Sequence, residues 1–170
     1  MKINKKNVQR IFIQLSGIVA LVFIDFLTKE AAIKYLMGKD TLVLIKGVLG
    51  LTYAENTGAA FSMFSSSTDM LSLVTGIALT AVLIYIIFFK KPKVYDICLP
   101  FVVAGGLGNL IDRMTRGFVV DYIHTLFVNF PIYNFADCLI TCAAVALIGY
   151  LLYEIIRDTK KEKNKEQGNG

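Results

Sequence analysis

Between Gly105 and Asp137 the chain gathers side chains able to bind, orient and move protons. The stretch reads Gly105-Gly106-Leu107-Gly108-Asn109-Leu110-Ile111-Asp112-Arg113, then Gly117-Phe118-Val119-Val120-Asp121, then Asn134-Phe135-Ala136-Asp137. In these pieces three carboxylates, two side-chain amides and an arginine stand at the junction of two strongly apolar segments. Ionisable groups so close to a bilayer are costly to place and mark a functional site by default. Asp121 closes the connection that leaves the first apolar segment, and Asp137 opens the second. A short excursion of the chain can therefore bring them together. Two carboxylates in one partly dry site do not both ionise easily, which yields an acid and a base from a single residue type.

A plainer reading exists for the second of them. Asn134 followed three residues later by Asp137, with Pro131 just upstream, has the form of a capping box at a helix start. Asp121 has no such explanation, because it lies in the apolar context Val119-Val120-Asp121-Tyr122.

The elements that must hold these residues are membrane spans. Of the 170 residues 55% are hydrophobic, and the mean hydropathy is +0.60. The apolar residues fall in blocks of roughly 20, the length that crosses a bilayer as a helix. The net charge of +5 does not point to nucleic acid. The basic residues cluster at Lys2, Lys5, Lys6 and Arg10, at Lys90, Lys91 and Lys93, and from Arg157 to Lys165. Those clusters flank apolar blocks, which is the positive-inside pattern. The expected class is an integral membrane protein, mainly α, with four transmembrane helices over residues 11–29, 71–89, 97–114 and 135–156. Both termini face the cytoplasm, residues 158–170 form a disordered basic tail, and no second domain is expected. The basic start and the run Ile11 to Ile24 could be a cleaved signal peptide, but Asp25-Phe26-Leu27 stands where small residues are needed. The run is read as a retained first span.

Asp25 and Lys29 at its outer end have the spacing and order of an ion pair on one helix face. They form either a helix-end salt bridge or a support of the site. Thr41 to Ile45 and Val48 to Tyr53 are short β-prone runs broken by Lys46-Gly47. They predict a small strand-rich platform on the outer face, over residues 40–62. It ends in Glu55-Asn56-Thr57-Gly58-Ala59-Ala60-Phe61, which is either an ordinary turn or a place of close backbone approach. Ser65 to Asp69 offer N-caps for the second span, and Asp96 is expected to cap the third. Along the third, Gly105, Gly108 or Asn109, and Asp112 share a face. Arg116 to Tyr133 reads as an outer loop on the headgroup layer.

Other chemistries have less support. Cys98, Cys138 and Cys142 make no disulfide framework and read as packing residues. His124 is the sole histidine, so no metal site is expected. A Cys138–His124 pair, or a serine from Ser62 to Ser67 with Lys29 or Lys46, leaves the paired aspartates unexplained. A proton-coupled carrier and a non-catalytic scaffold stay open as other classes. Carriers, however, usually show internal repeats and helices broken at the midplane.

Five ordered blocks from Asp25 to Asp137 resemble those of bacterial lipoprotein signal peptidase (signal peptidase II). They are Asp25-Phe26-Leu27-Thr28-Lys29, Asn56 to Phe61, Gly105 to Arg113, Gly117 to Asp121, and Phe130 to Asp137. Phe26 replaces the family's usual glutamine, and Tyr122 and Tyr133 stand where phenylalanine is common. The resemblance implies a cytoplasmic-membrane aspartyl endopeptidase, active near the outer face, with a small extracytoplasmic β-cradle and no cofactor. Its substrate would be a prolipoprotein, cut on the amino side of an S-diacylglyceryl cysteine, with membrane lipid around it and globomycin as inhibitor. A monomer is expected. By the same resemblance Asp121 and Asp137 are catalytic. Asn56, Gly58, Asn109, Asp112, Arg113, Asn134 and Ala136, with Asp25 and Lys29, bind substrate or support the pair.

Overall fold

The computed structural model describes residues 5–58, 68–90 and 92–168. Its elements in chain order are α1 (Lys5–Leu36), β1 (Leu42–Ile45), β2 (Leu49–Asn56), α2 (Thr68–Phe88), α3 (Lys93–Arg116), β3 (Val119–Thr125) and α4 (Phe135–Gly168). Among the described residues four helices are long and apolar enough to cross a membrane. The 21 residues of α2 span roughly 32 Å at 1.5 Å per residue, which matches a hydrocarbon layer of about 30 Å. Large apolar side chains such as Phe12, Val19, Leu73, Ile77, Phe88, Val145 and Ile148 face outward. That inversion of the usual pattern is what a lipid solvent demands.

α3 is the central helix and packs against each of the other three. Its glycines explain how closely. A Cβ on Gly105 would strike the Ala136 carbonyl of α4 and Ile140, and one on Gly108 would fall on the Asp25 carboxylate. A Cβ on Gly106 would lie 2.6 Å from Leu79 of α2. Small residues let helices approach where lipid supplies no hydrophobic drive. Here the same residues also admit a carboxylate between the helices.

The three strands form an antiparallel sheet in the order β1-β2-β3. Gly47, at φ +73°, turns β1 into β2. A bulge in β2 separates the pairs Leu51↔Ile123 and Ala54↔Asp121. Such an extra residue re-aims the side chains beyond it. Tyr133 then pairs with Ile123, with Ile123 N–H donating to the Tyr133 carbonyl at 2.7 Å. That bridge draws the start of α4 alongside β3.

Several expectations change. Residues 116–133 are not a loop throughout, because Val119 to Thr125 form β3. The first span continues beyond Lys29 to Leu36. α3 begins at Lys93, after Pro92 with no side-chain cap; Asp96 instead meets Gln14 and Arg10 of α1. The tail expected to be disordered is helical through Gly168. Lysine and glutamate favour helix, and Arg157–Glu154 and Lys161–Asp158 pair one turn apart. Residues 59–67, which include the serine candidates and most of the expected cap segment, lie outside the described residues.

Candidate active site

Lys29 anchors the site. Its side chain is 1% exposed, and its Nζ lies 2.8 Å from Asp25 Oδ2 and 3.1 Å from Asp112 Oδ2. A buried ammonium requires such pairing, since its desolvation is otherwise uncompensated. The third proton of Lys29 goes to Asn109 Oδ1 at 2.9 Å. Because an ammonium only donates, the Asn109 oxygen must face Lys29 and its amide nitrogen must face away. That nitrogen donates to Asp137 Oδ1 at 2.8 Å.

The same logic orients two further amides. Asn134 Oδ1 accepts the Asp137 backbone N–H at 3.0 Å, so its Nδ2 is free to donate. It donates to Asp121 Oδ1 at 2.7 Å and to Asn109 Oδ1 at 3.0 Å. Asn56 Oδ1 accepts the Gly58 N–H at 2.8 Å, and its Nδ2 donates to Asp121 Oδ2 at 2.9 Å. Gly58 adopts φ +89° there, the left-handed region open to glycine. Each of the three amides is thus keyed by an obligate donor, and each turns an N–H toward an aspartate.

The supporting acids complete the frame. Asp25 Oδ1 accepts the Ala136 N–H at 3.0 Å, tying α1 to the first turn of α4. Asp112 Oδ2 accepts the Val120 N–H at 3.1 Å, tying α3 to β3. Asp25 and Lys29 are therefore not a helix-end pair but a buried one, two turns before α1 ends. The capping box is present as well, with Asp137 Oδ2 accepting the Asn134 N–H at 3.1 Å. The cap engages Oδ2 of Asp137 and leaves Oδ1 to Asn109. Arg113 makes no ion pair among the described residues, and its Nε is buried without a hydrogen-bond partner there. Its charge nonetheless acts on Asp137, Asp121 and Asp112.

Arg116 and Glu30 belong to the frame but were not singled out from the sequence. Arg116 Nε donates to Asp112 Oδ1 at 3.1 Å, and its Nη2 pairs with Glu30. The i, i+4 spacing of Asp112 and Arg116 was a usable signal. Of the less-supported Cys138–His124 alternative, His124 Nδ1 is engaged with Thr52 Oγ1 at 3.0 Å. Cys98 is buried as packing, whereas Cys138 and Cys142 are free thiols on the wall of a groove. Phe26, the departure in the first block, is exposed.

Asp121 and Asp137 both line that groove, of about 660 Å³, with Asn56, Tyr133, Cys138 and the loop residues Val128 and Phe130. Asp121 is 2% exposed. Burial, with the nearby charge of Asp137, pushes its carboxyl up to about 6, against the pull of the Asn56 and Asn134 hydrogen bonds. A carboxyl so tuned can hold or release a proton near neutral pH.

Fold and site together define a multi-span membrane enzyme whose polar centre lies where helices meet a small sheet. Residues 17–153 match the family described as signal peptidase (SPase) II. A lipoprotein signal peptidase of Lactiplantibacillus plantarum is 37% identical over 153 residues, covering 89% of this chain and 99% of that protein. One from Caldanaerobacter subterraneus is 40% identical over 134 residues, covering 78% of this chain and 90% of the relative. A bacterial membrane enzyme solved by the in meso method superposes with a TM-score of 0.76 at 30% identity, covering 84% of this chain and 88% of that one. The chain belongs to the signal peptidase II family. It is a bacterial membrane protease that removes signal peptides from prolipoproteins.

Proposed function

We propose that the protease is an aspartyl endopeptidase in which Asp121 and Asp137 act on one water. The cut falls on the amino side of an S-diacylglyceryl cysteine. The observation that carries this reading is the set of three amides keyed by obligate donors, each with an N–H turned to one of two carboxylates in one groove. In the proposed reaction, ionised Asp137 takes a proton from the water as its oxygen attacks the scissile carbonyl carbon. Protonated Asp121 gives its proton to the carbonyl oxygen, forming the tetrahedral intermediate. As that intermediate collapses, Asp121 takes back a proton from one of its hydroxyls, the C=O bond re-forms, the C–N bond breaks, and Asp137 gives its proton to the departing amine of the cysteine. General acid–base help of this kind is worth ~10²–10⁴-fold in rate. Asn109 and Asn134 orient the pair, and Asn56 and Gly58 border the peptide's path. The elevated carboxyl of Asp121 supports its role as the acid.

The basic clusters support an orientation with both termini in the cytoplasm and the groove near the outer face. The diacylglyceryl chains stay in lipid while the peptide enters the groove, with exposed Phe127, Val128 and Phe130 resting in the headgroup layer. Globomycin is expected to occupy the same groove, and the chain acts as a monomer without a cofactor.

The test is the initial rate on a lipidated prolipoprotein peptide, normalised to protein that still binds globomycin. Asp121→Asn and Asp137→Asn should each lower the rate close to background, and the double variant should be scarcely worse, because groups acting as a unit are non-additive. Near-normal rates in both single variants refute the aspartyl mechanism. Equal turnover of an unlipidated peptide refutes the lipid requirement.

A further inference from the structure

The last turn of α3 carries a charged group that the proposed reaction does not use. Arg116 is the final residue of that helix, and Gly117 caps it at φ +81°. The chain turns there into β3, which begins at Val119. Arg116 itself folds back over the helix. Its Nε donates to Asp112 Oδ1 at 3.1 Å, and its Nη2 pairs with Glu30 of α1. Neither Arg116 nor Glu30 is among the described residues that line the groove.

Asp112 links this outer pair to the reacting centre. Its side chain is 5% exposed. Oδ2 accepts from Lys29 Nζ at 3.1 Å and from the Val120 N–H at 3.1 Å, which leaves Oδ1 for Arg116. Lys29 is shared between Asp112 and Asp25, so inside the junction one bonded cation faces two carboxylates. Arg116 is the second cation bonded to them and balances the count. A buried carboxylate short of a cation is costly. It relieves that cost by turning toward the remaining cation or by taking up a proton. Either change disturbs the oxygen that holds Val120.

Asp121 follows Val120 directly. Its backbone lies between two anchors outside the sheet, Asp112 on the Val120 N–H and the Tyr133 carbonyl on the Tyr122 N–H at 3.0 Å. We propose that Arg116, steadied by Glu30, is a positioning residue for Asp121. It fixes the Asp112 carboxylate and, through the Val120 N–H, the backbone from which the Asp121 carboxyl projects. The inference rests on Asp121 being one of the reacting pair. Because Arg116 stands outside the groove, its effect belongs in kcat and not in KM.

The experiment is kcat and KM on the lipidated peptide, per molecule of folded protein, beside thermal melts of each variant. Arg116→Gln should lower kcat on the order of tenfold with KM kept, since a misplacement of about 1 Å can cost roughly 10²-fold. Arg116→Lys restores a cation and should recover part of the loss. Glu30→Ala changes a half-exposed side chain, so it keeps the test open should Arg116→Gln fold poorly. It should lower kcat less than Arg116→Gln does, again with KM kept. The double variant should match Arg116→Gln alone, because Glu30 acts through Arg116. Arg157→Gln removes a surface ion pair at the far end of α4 and should leave kcat unchanged. A lower melting temperature with parental kcat overturns the proposal and makes Arg116 a purely structural clamp. A lysine no better than glutamine, a loss confined to KM, additive losses in the double variant, or an equal loss in Arg157→Gln overturns it as well. Asp121→Asn separates the two levels. If it keeps the parental rate, the aspartyl reading fails; if it is near background while Arg116→Gln is parental, the positioning role alone fails.

Discussion

Replacing Asn56 by alanine isolates one interaction on the acid of the proposed pair. Asn56 Nδ2 donates to Asp121 Oδ2 at 2.9 Å, a bond that favours the charged carboxylate. The Asp121 carboxyl is raised from 3.8 to about 6 with that bond in place, on the order of 3 kcal/mol in favour of the protonated form. A hydrogen bond to a charged group is worth ~1.5–3 kcal/mol. Asn56 is only half-buried, so the low end applies, and about 1.4 kcal/mol corresponds to one pH unit. Asn56→Ala should therefore carry Asp121 roughly one unit further up. If Asp121 is the acid, activity is lost as pH rises through its pKa. The alkaline limb of kcat/KM should then move from near pH 6 to about one unit higher in the variant. The stability profile gives an independent check with a definite sign. A raised pKa in the folded chain means that the contribution of Asp121 is fully present below pH 3.8 and is lost as pH rises through about 6. In Asn56→Ala that loss should grow and extend to higher pH, and in Asp121→Asn it should vanish. The assay is the rate on the lipidated peptide in micelles across the pH range, beside thermal melts in the same buffers. A variant whose rate falls uniformly while both profiles keep their positions would refute the reasoning and leave Asn56 as a substrate contact only.

The remaining expectations concern the frame and the topology. Lys29→Met should cost about 3–5 kcal/mol by leaving Asp25 and Asp112 buried without their cation, read as loss of folded protein in detergent; a variant that melts like the parent contradicts the anchoring role. Gly108→Ala places a methyl group on the Asp25 carboxylate and should destabilise by ~1–3 kcal/mol, whereas Gly149→Ala, which meets nothing, should be near neutral. In a cysteine-free background, Asp40→Cys should label with an impermeant thiol reagent in intact cells, while Lys91→Cys and Lys163→Cys should be shielded. Labelling at position 91 contradicts the proposed orientation.

What could be read from the sequence was what each segment decides by itself. The four apolar blocks, the Lys46-Gly47 turn and the glycine face of α3 follow from local composition and spacing, and the structure agrees with them. β3 was missed for a physical reason. Val119 to Tyr122 are all buried, with Val120 and Tyr122 in the core beside Ala32 and Leu36. A strand covered on both faces loses the apolar–polar alternation that identifies strands. The depth of Lys29 was hidden similarly, since its i, i+4 acid is local but Asp112 and Asn109 approach from a helix some 80 residues on. The extension of α1 to Leu36 followed from packing against the sheet, which composition does not reveal.

The motif Asn134-Phe135-Ala136-Asp137 shows why a local explanation and a chemical one need not compete. A capping box uses the side-chain oxygen of its first residue and one carboxylate oxygen of its last. In Asn134 that leaves the amide N–H groups, which meet Asp121 and Asn109. In Asp137 it leaves Oδ1, which meets Asn109 and lines the groove. An aspartate whose carboxylate is held by a helix start cannot rotate freely, so the cap supplies the rigidity that a proton-transferring group requires. Asp25 reinforces the same turn through the Ala136 N–H, and Lys29 holds Asp25 in place. The helix start, the buried ion pair and the proposed dyad are thus one network, in which the atoms that fold the junction are bonded directly to the atoms proposed to react.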